Sequence, residues 1–406
     1  FGASVAGIAD DRLMLLSHGK TPEAPSQSKS KYEFLSFFGR ADWDYKAKYA
    51  ANVTVRSDAS SRFGKDNRTA VFVSGGLSWN IAREYFMRPV TWLTDLKLKV
   101  SVGSTGNAAV GNYGHLALAG TADYNGTTGW GYAQLPNPDL GWEKQIQTNV
   151  GISATFFEKL KVDVNLYHRK TKDMLMSTPL PYTTGFSSIM NNVGEMSNRG
   201  VEIEASYDII RNKDVYFSLR GNYTYNKNKV DKLFYDLDEW PMKSSLLCLK
   251  KGESLNFYMP IFAGIDKEDG APMWYKVGYK GEPGYTFNPE TMTKDEAQIE
   301  NLYQDTGKSY YAPHHGGFGF TFSWKGLSIV ADFSYVLGKY MVNNAYFLST
   351  ASSTAKQGFN MDRDALDMWR NPGDETYLPS YEYDSQFDTH LLENASFMRL
   401  KNLSIS

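Results

Sequence analysis

The chain has 406 residues, and its 43 Lys and Arg against 45 Asp and Glu give a formal net charge of -2. This balance leaves no cationic excess for a phosphate backbone and argues against a nucleic-acid-binding protein. The single cysteine, Cys248, excludes an intramolecular disulfide framework and a cysteine-rich zinc site. No apolar run approaches the ~20 residues of a membrane-spanning helix, which excludes a helical membrane protein but not strands that alternate apolar and polar residues.

A period of two runs through the chain and predicts about eleven β-strands. In residues 160–167 (LKVDVNLY), for example, apolar and polar side chains alternate almost strictly. The last strand slips phase between Leu400 and Leu403, as a β-bulge would cause. The predicted strands lie near 34–45, 47–57, 70–80, 96–102, 145–156, 160–167, 201–209, 215–226, 317–324, 327–338 and 396–405.

Many of these strands reach about ten residues, the length of a tilted strand that crosses a bilayer. In lipid every backbone N–H and C=O must be paired within the structure, so such a sheet has to close. The alternation predicts that Val162, Val164, Ile203 and Phe320 face lipid.

The connections alternate between short and long, as in outer-membrane barrels with short periplasmic turns and long external loops. The short ones are residue 46, 157–159, 210–214 and residue 326, and the long ones are 105–144, 171–199, 227–316 and 339–395. The intermediate connections fit this order if 58–69 is external and 81–95 is internal. We therefore predict an all-β fold, an antiparallel transmembrane β-barrel with about 11–13 strands in this chain. The upper number allows a further strand pair near 257–264 and 272–279.

Residues 45–49 (YKAKY) and 55–64 (VRSDASSRFG) resemble the "YKxKY … RxDxSSRFG" signature of SusC/RagA-type TonB-dependent transporters. One departure is the sequence Ser57, Asp58, Ala59, where the family usually has Asp-Gly after the Arg. Each motif is weak alone, but many of them in the family's order are together specific. Further similar segments follow in that order: 74–79, 84–87, 96–99, 103–107, 137–143, 171–175, 191–194, 198–202 and 395–403.

The resemblance covers about residues 31–406, read as part of the receptor β-barrel, and leaves 1–30 as an extracellular loop or irregular segment. It implies that the chain contributes roughly the second half of a 22-stranded barrel and belongs to a longer protein, since the family's plug and TonB box have no counterpart here. It also implies import of an oligosaccharide or oligopeptide across the outer membrane of a Gram-negative, Bacteroidota-like cell. The implied partners are a SusD-like surface lipoprotein, TonB through a region absent from these residues, the cargo and outer-membrane lipid, with no nucleic acid.

Aromatic and polar residues in the predicted external loops are the candidate cargo-binding groups, because rings stack on sugar faces and polar groups bind hydroxyls or peptide groups. The polar, Gly-rich and aromatic segment 123–132 is the best of them. The same rings could instead pack the loops themselves. The candidates are Asp123, Tyr124, Asn125, Trp130, Tyr132, Trp240, Trp274 and Tyr275.

No catalytic or metal site and no cofactor are expected. The sequence has no G-x-S-x-G, H-E-x-x-H, P-loop or G-x-G-x-x-G motif. His314 and His315 are adjacent and would point to opposite faces of a strand, and residues 266–270 (DKEDG) lack the EF-hand frame. Two other functions stay open: a siderophore or vitamin receptor with the same barrel, and a secreted all-β carbohydrate-binding protein.

Overall fold

A computed structural model describes residues 2–8, 15–16, 19–23 and 28–406. In the segment 1–30 it shows a short antiparallel pair, Val5–Ile8 with Gly19–Pro22; the rest of that segment lies largely outside the described residues. Within the described residues, no helix is long and apolar enough to cross a membrane.

Within the described residues, eleven long strands form one antiparallel sheet in which each strand pairs with the next long strand along the chain. This confirms the predicted number and places of the strands. The sheet consists of β1 (Phe34–Tyr45), β2 (Tyr49–Ser60), β3 (Thr69–Asn80), β4 (Leu93–Asn107), β5 (Glu143–Phe156), β6 (Leu160–Lys172), β7 (Glu195–Arg211), β8 (Val215–Lys232), β9 (His314–Trp324), β10 (Leu327–Leu337) and β11 (Phe397–Ile405).

The two faces of this sheet differ in polarity. Residues that pair across a ladder point to the same side of the sheet, so the register shows which residues share a face. One apolar row crosses all eleven strands: Tyr45, Tyr49, Trp79, Leu98, Ile152, Val164, Ile203, Tyr223, Gly316, Tyr335 and Met398. A polar row on the opposite face runs from β1 to β8: Asp42, Asn52, Gly76, Ser101, Asn149, Tyr167, Gly200 and Asn226. The polar face is concave and lines a cavity of about 1060 Å³.

The register places Val162, Val164, Ile203 and Phe320 on the apolar face and Asn165 and Ser206 on the concave polar face. In β11, Asn402 pairs with Asp332 and Leu400 with Phe333, so Lys401 is the extra residue of the predicted bulge.

Short and long connections lie at opposite ends of the sheet, since consecutive strands are antiparallel. The turn end carries 46–48, 81–92, 157–159, 212–214 and 325–326; the loop end carries 61–68, 108–142, 173–194, 233–313 and 338–396. The intermediate connections 58–69 and 81–95 thus fall at the ends that the alternation predicts.

The long loops are folded rather than irregular. Two hairpins form in the first two of them, Leu118–Tyr124 with Thr127–Gln134 and Leu175–Pro179 with Ser188–Asn192. The 233–313 loop contains a four-stranded sheet (Glu239–Met242, Leu247–Lys250, Asn256–Met259, Gln304–Ser309) and a three-stranded sheet (Ile261–Ile265, Pro272–Tyr275, Met292–Thr293). The strand pair considered near 257–264 and 272–279 therefore exists, but it stands apart from the eleven-stranded sheet.

The 338–396 loop pairs Tyr340–Val342 with Leu392–Asn394 and holds the helices α1 (Asn344–Thr350) and α2 (Ser352–Lys356). The short 3-10 helices are Lys65–Asn67, Ile81–Arg83, Tyr85–Met87, Tyr182–Thr184, Phe234–Asp236, Lys243–Ser245, Glu296–Asn301, Arg363–Asp367 and Thr389–Leu391.

Candidate functional site

Polar side chains on the concave face contact one another between adjacent strands and across an intervening strand. Asn165 on β6 donates a 3.0 Å hydrogen bond to Glu202 on β7, and Lys99 on β4 lies 3.5 Å from Asp163. The cavity lining contains five carboxylates, four Asn side chains and one lysine, Lys99. A polar wall of this kind suits a hydrophilic solute, because an apolar one would leave its polar groups without hydrogen-bond partners.

Glycines on this face make room for the charged pairs. Gly319 on β9 pairs with Arg220 on one side and Asp332 on the other, and these two side chains form an ion pair over it. A Cβ on Gly319 would lie 2.5 Å from the Asp332 carboxylate. Gly317 and Gly319 therefore leave space on the concave face for larger neighbouring side chains and do not form a nucleotide-binding loop.

The sequence motifs that follow strand ends interlock the first two long loops, 108–142 and 173–194. Asn192 and Gly141 exchange two hydrogen bonds, Gly141 N–H to Asn192 Oδ1 at 2.7 Å and Asn192 Nδ2 to Gly141 O at 2.8 Å. Asn137 donates to Met190 O and to Asn191 Oδ1, both at 2.7 Å. These motifs fix loop geometry, which is a structural role.

A small apolar core lies beneath this loop junction. Phe63, Leu140 and Trp142 are almost fully buried in it, and the Trp142 indole donates a 2.8 Å hydrogen bond to Arg68 O. Arg62 donates to Ala108 O at 2.9 Å. The Arg of the SSRFG motif thus holds two loops together.

The predicted segment 123–132 forms the tip of a β-hairpin at the loop end. Asn125 and Gly126 both have positive φ (47° and 77°), the conformation of a type I′ turn, which favours Asn-Gly. The Thr128 hydroxyl donates a 2.6 Å hydrogen bond to Asp123, and this pair braces the turn.

The hairpin brings Asp123, Trp130 and Tyr132 onto one face, because Asp123 pairs with Thr128 and residues 128, 130 and 132 alternate along one strand. Trp130 and Tyr132 are 80% and 77% exposed. Tyr124 is also exposed but lies on the other face of the hairpin. Two uncovered rings beside a carboxylate can stack on a ligand and accept hydrogen bonds from it.

The remaining candidates lie inside the folded 233–313 loop and do not join the hairpin face. Trp274 is completely buried, and Tyr275 is 7% exposed with its hydroxyl bonded to Glu282 O at 2.8 Å. Trp240 is half-buried against Phe234, with ring centroids 4.9 Å apart. These three rings pack the loop, the second of the two roles that the sequence left open.

The most exposed aromatic ring in the described part of the chain was not among the candidates from the sequence. Tyr182, at the tip of the 173–194 loop, is 98% exposed. The turn residues Pro181 and Gly185 around it were the available signal.

A buried polar cluster joins the 233–313 and 338–396 loops and was also missed. Asp388 is 2% exposed and accepts from Trp274 Nε1 at 2.7 Å and from the backbone N–H of His390 at 2.9 Å. The His390 ring lies 2.5 Å from the same carboxylate. Burial of the ring lowers the pKa of His390, but the Asp388 charge and hydrogen bond outweigh it and raise the pKa above its ordinary value.

Two segments of the sequence contain residue types that can bind metals, the histidines 314–315 and the acidic residues of 266–270. His314 bonds Tyr223 on the apolar face, whereas His315 lines the cavity on the concave face. Asp266 and Asp269 both bind Lys294 Nζ, at 2.5 and 2.9 Å. Among the described residues, no group of three His, Cys, Asp or Glu is placed to hold a metal ion.

The chain is similar to several known proteins. Among curated ones it is 29% identical over 412 residues to TonB-dependent receptor P39 of Formosa agariphila (91% of this chain, 39% of that protein). It is 27% identical over 409 residues to TonB-dependent receptor SusC of Bacteroides thetaiotaomicron (91% and 37%). The chain thus spans 37–39% of the length of these two relatives.

The fold agrees with this similarity. The solved structure of the RagAB peptide transporter superposes with a TM-score of 0.85 and 39% identity, covering 98% of this chain and 44% of that one. The RagAB peptide importer in its "open-open" state gives 0.83 and 38%. The family described as "TonB dependent receptor-like, beta-barrel" matches residues 13–246, more than half of the chain. Because this family model covers more than half of the chain, the chain belongs to the TonB-dependent receptor-like β-barrel family, and SusC and RagAB are among the proteins to which it is similar.

Proposed function

We propose that this chain is part of a TonB-dependent importer that brings a nutrient, an oligosaccharide or an oligopeptide, across the outer membrane of a Bacteroidota-like cell. The observation that carries the proposal is the two-faced sheet, with an apolar outer face, a polar concave face and folded loops with exposed rings at one end. Residues 31–406 are the barrel part in this proposal, and 1–30 are an external segment.

The relatives support the cargo class and the partner. One relative is named SusC, and the similar solved structures are of RagAB, a peptide transporter. We therefore propose a SusD-like surface lipoprotein as the partner above the loop end and TonB as the source of energy. The polar lining of the concave face suits both a glycan and a peptide.

The alternatives have less support. A secreted all-β protein has no need for an apolar outer row across eleven strands, nor for long loops confined to one end. A siderophore or vitamin receptor would share the barrel, but the SusC and RagAB relatives favour the larger nutrients.

A topology experiment tests the orientation. Epitope tags at Asn125 and Ser353, both in long loops, should bind antibody on intact cells, whereas a tag at Asn212 in a short turn should bind only after permeabilisation. Labelling of Asn212 but not of Asn125 on intact cells would reverse the topology and overturn the proposal.

An uptake experiment tests the hairpin. The double substitution Trp130→Ala and Tyr132→Ala removes two exposed rings, each worth about 0.5–1.5 kcal/mol when stacked. The half-saturating concentration of cargo should therefore rise by roughly two- to tenfold for each ring. Tyr85→Ala, an equally exposed ring at the turn end, is the matched control.

Growth of a deletion strain on defined peptide mixtures or oligosaccharides, complemented with each variant, identifies the cargo class. Normal growth of the deletion strain on all of them would contradict nutrient import. Normal uptake by the hairpin variant alongside a defective deletion strain would leave import standing and remove the hairpin from the site.

A further inference from the structure

On the outer face of β6, β7 and β8, the side chains change from apolar to basic towards the loop end. The rows Val164–Ile203–Tyr223 and Leu166–Val201–Tyr225 are apolar and aromatic. The next two rows on the same face are basic: His168–Arg199–Lys227, then Lys170–Ser197–Lys229. The sequence pattern does not show these rows, because their members lie on three separate strands.

The basic rows surround an open cavity of about 720 Å³. Its lining contains six Lys or Arg and three Asp or Glu, a net charge of +3 in a chain whose net charge is -2. The patch is therefore a local concentration of positive charge rather than a sample of the whole surface.

The acidic residues of the patch neutralise only part of it. Glu195, Asp231 and Asp236 each form an ion pair, with Lys170 at 2.6 Å, Lys229 at 3.5 Å and Lys232 at 3.8 Å. Among the ion pairs between described residues, none includes Arg199, Lys227 or Lys251.

Arg199 and Lys227 lie directly opposite each other in the β7–β8 ladder, and both are exposed. Side chains in that relation have Cβ atoms about 4.5–5.5 Å apart, and like charges so placed repel each other. An anion that accepts hydrogen bonds from both would relieve the repulsion.

The position of the basic rows along the height of the barrel indicates which anion can reach them. Leu160 and Lys170 are separated by ten residues of β6, or about 34 Å along the strand at roughly 3.4 Å per residue. Barrel strands tilt by about 35–45° from the membrane normal, so this length corresponds to a height of roughly 24–28 Å. The apolar band of an outer-membrane barrel is about 25 Å tall, and aromatic residues flank it. Tyr223 and Tyr225 stand in the two rows below the basic rows, so the basic rows lie at the level of the outer-leaflet headgroups.

We propose that Arg199 and Lys227, with His168 and Lys251 beside them, bind the phosphate group of an anionic outer-leaflet lipid. The acyl chains of this lipid would lie against the apolar rows directly below, on the same face of β6 to β8. The site is separate from the concave face and from the cargo hairpin, so it goes beyond the proposed import function.

The test uses the whole protein in neutral detergent and follows its unfolding temperature as lipid is added. Lipid A should raise the apparent Tm saturably, by at least about 2 °C, and phosphatidylcholine should not. The double variant Arg199→Gln and Lys227→Gln should lose this shift. Its Tm without lipid should equal or exceed that of the wild type, because the variant lacks a like-charge repulsion.

The matched control removes two cations from the turn end, Lys213→Gln and Lys325→Gln, both exposed in short turns; it should keep the shift. An equal shift in the Arg199 and Lys227 variant would overturn the proposal. So would an equal shift with phosphatidylcholine, or a shift that inorganic phosphate alone reproduces, which would indicate a free-anion site. Native mass spectrometry measures lipid binding and oligomeric state together. If the variant still bound lipid but changed its oligomeric state, the patch would be a contact between proteins, and the lipid assignment would be overturned.

Discussion

The Trp274 indole donates a 2.7 Å hydrogen bond to the Asp388 carboxylate, across 114 residues of sequence. Trp274 belongs to the 233–313 loop and Asp388 to the 338–396 loop, and both side chains are almost completely buried. Phe262, Ile265 and Leu302 form an apolar cluster with Trp274. The two largest loops therefore share one core and should open together.

Removing the buried acceptor should loosen that shared core. Asp388→Ala leaves the Trp274 indole and the His390 ring without their acceptor, and breaking a buried pair costs about 3–5 kcal/mol. Hydrogen exchange in both loops should accelerate together, which mass spectrometry can follow. Lys356→Gln is the control, because it removes an exposed pair with Asp384, worth roughly 0–1 kcal/mol. Faster exchange in one loop alone would show that the loops are not coupled.

The same cluster should make loop stability depend on pH. The pKa of His390 is raised in the folded state because Asp388 outweighs the effect of burial. The stabilisation is therefore fully present below the unfolded value of about 6.5 and is lost as pH rises through the folded pKa. Limited proteolysis of the 338–396 loop should be slower at pH 6 than at pH 9, after correction with an unrelated substrate. His390→Gln should abolish most of that difference; an unchanged pH dependence in this variant would exclude His390 as its source.

The two faces of the sheet should respond oppositely to a new charge. Val164→Arg places a cation on the apolar outer face, where the cost is about 2–4 kcal/mol near mid-membrane. Asn165→Arg, one residue along, places it on the polar concave face beside Glu202 and should be mild. Heat-modifiable migration on gels and urea unfolding in lipid vesicles measure both. Equal losses for the two variants would show that the faces are wrongly assigned.

Close packing over a glycine gives a test of the inner wall. A Cβ at Gly200 would lie 2.0 Å from Tyr225 O and 2.7 Å from the Tyr167 hydroxyl. Because Tyr225 O is backbone, Gly200→Ala should destabilise the sheet by about 1–3 kcal/mol. Gly39→Ala in β1 is the matched control, since its Cβ meets nothing within 4 Å. We expect a lower urea midpoint for Gly200→Ala only, and equal midpoints would refute the packing.

The eleven strands could be predicted from sequence because one face is apolar and the other polar, so the period of two is visible in each strand by itself. Even the bulge at Lys401 left a local sign, the phase slip between Leu400 and Leu403. The sequence likewise indicated an exposed loop around Asn125 and Gly126, because the segment is polar and Gly-rich. The turn at these residues places Trp130 and Tyr132 on the surface.

Contacts between distant segments could not be predicted in this way. The buried Trp274 indole donates its hydrogen bond to Asp388, and nothing near either residue in the sequence points to the other. The strands of the 233–313 loop are only two to six residues long, too short to show a period. The basic rows depend on the register of three strands, which the sequence of any one strand does not contain.

The short turns also have a kinetic consequence. Four hairpins close through the two or three residues of 46–48, 157–159, 212–214 and 325–326, so each can form on the microsecond scale of an isolated hairpin. Joining β8 to β9 must instead close the 233–313 loop, which costs about 3 kcal/mol more in chain entropy. We therefore expect the sheet to assemble from preformed strand pairs, with the β8–β9 joint among the slow steps and the folding of its loop setting the pace.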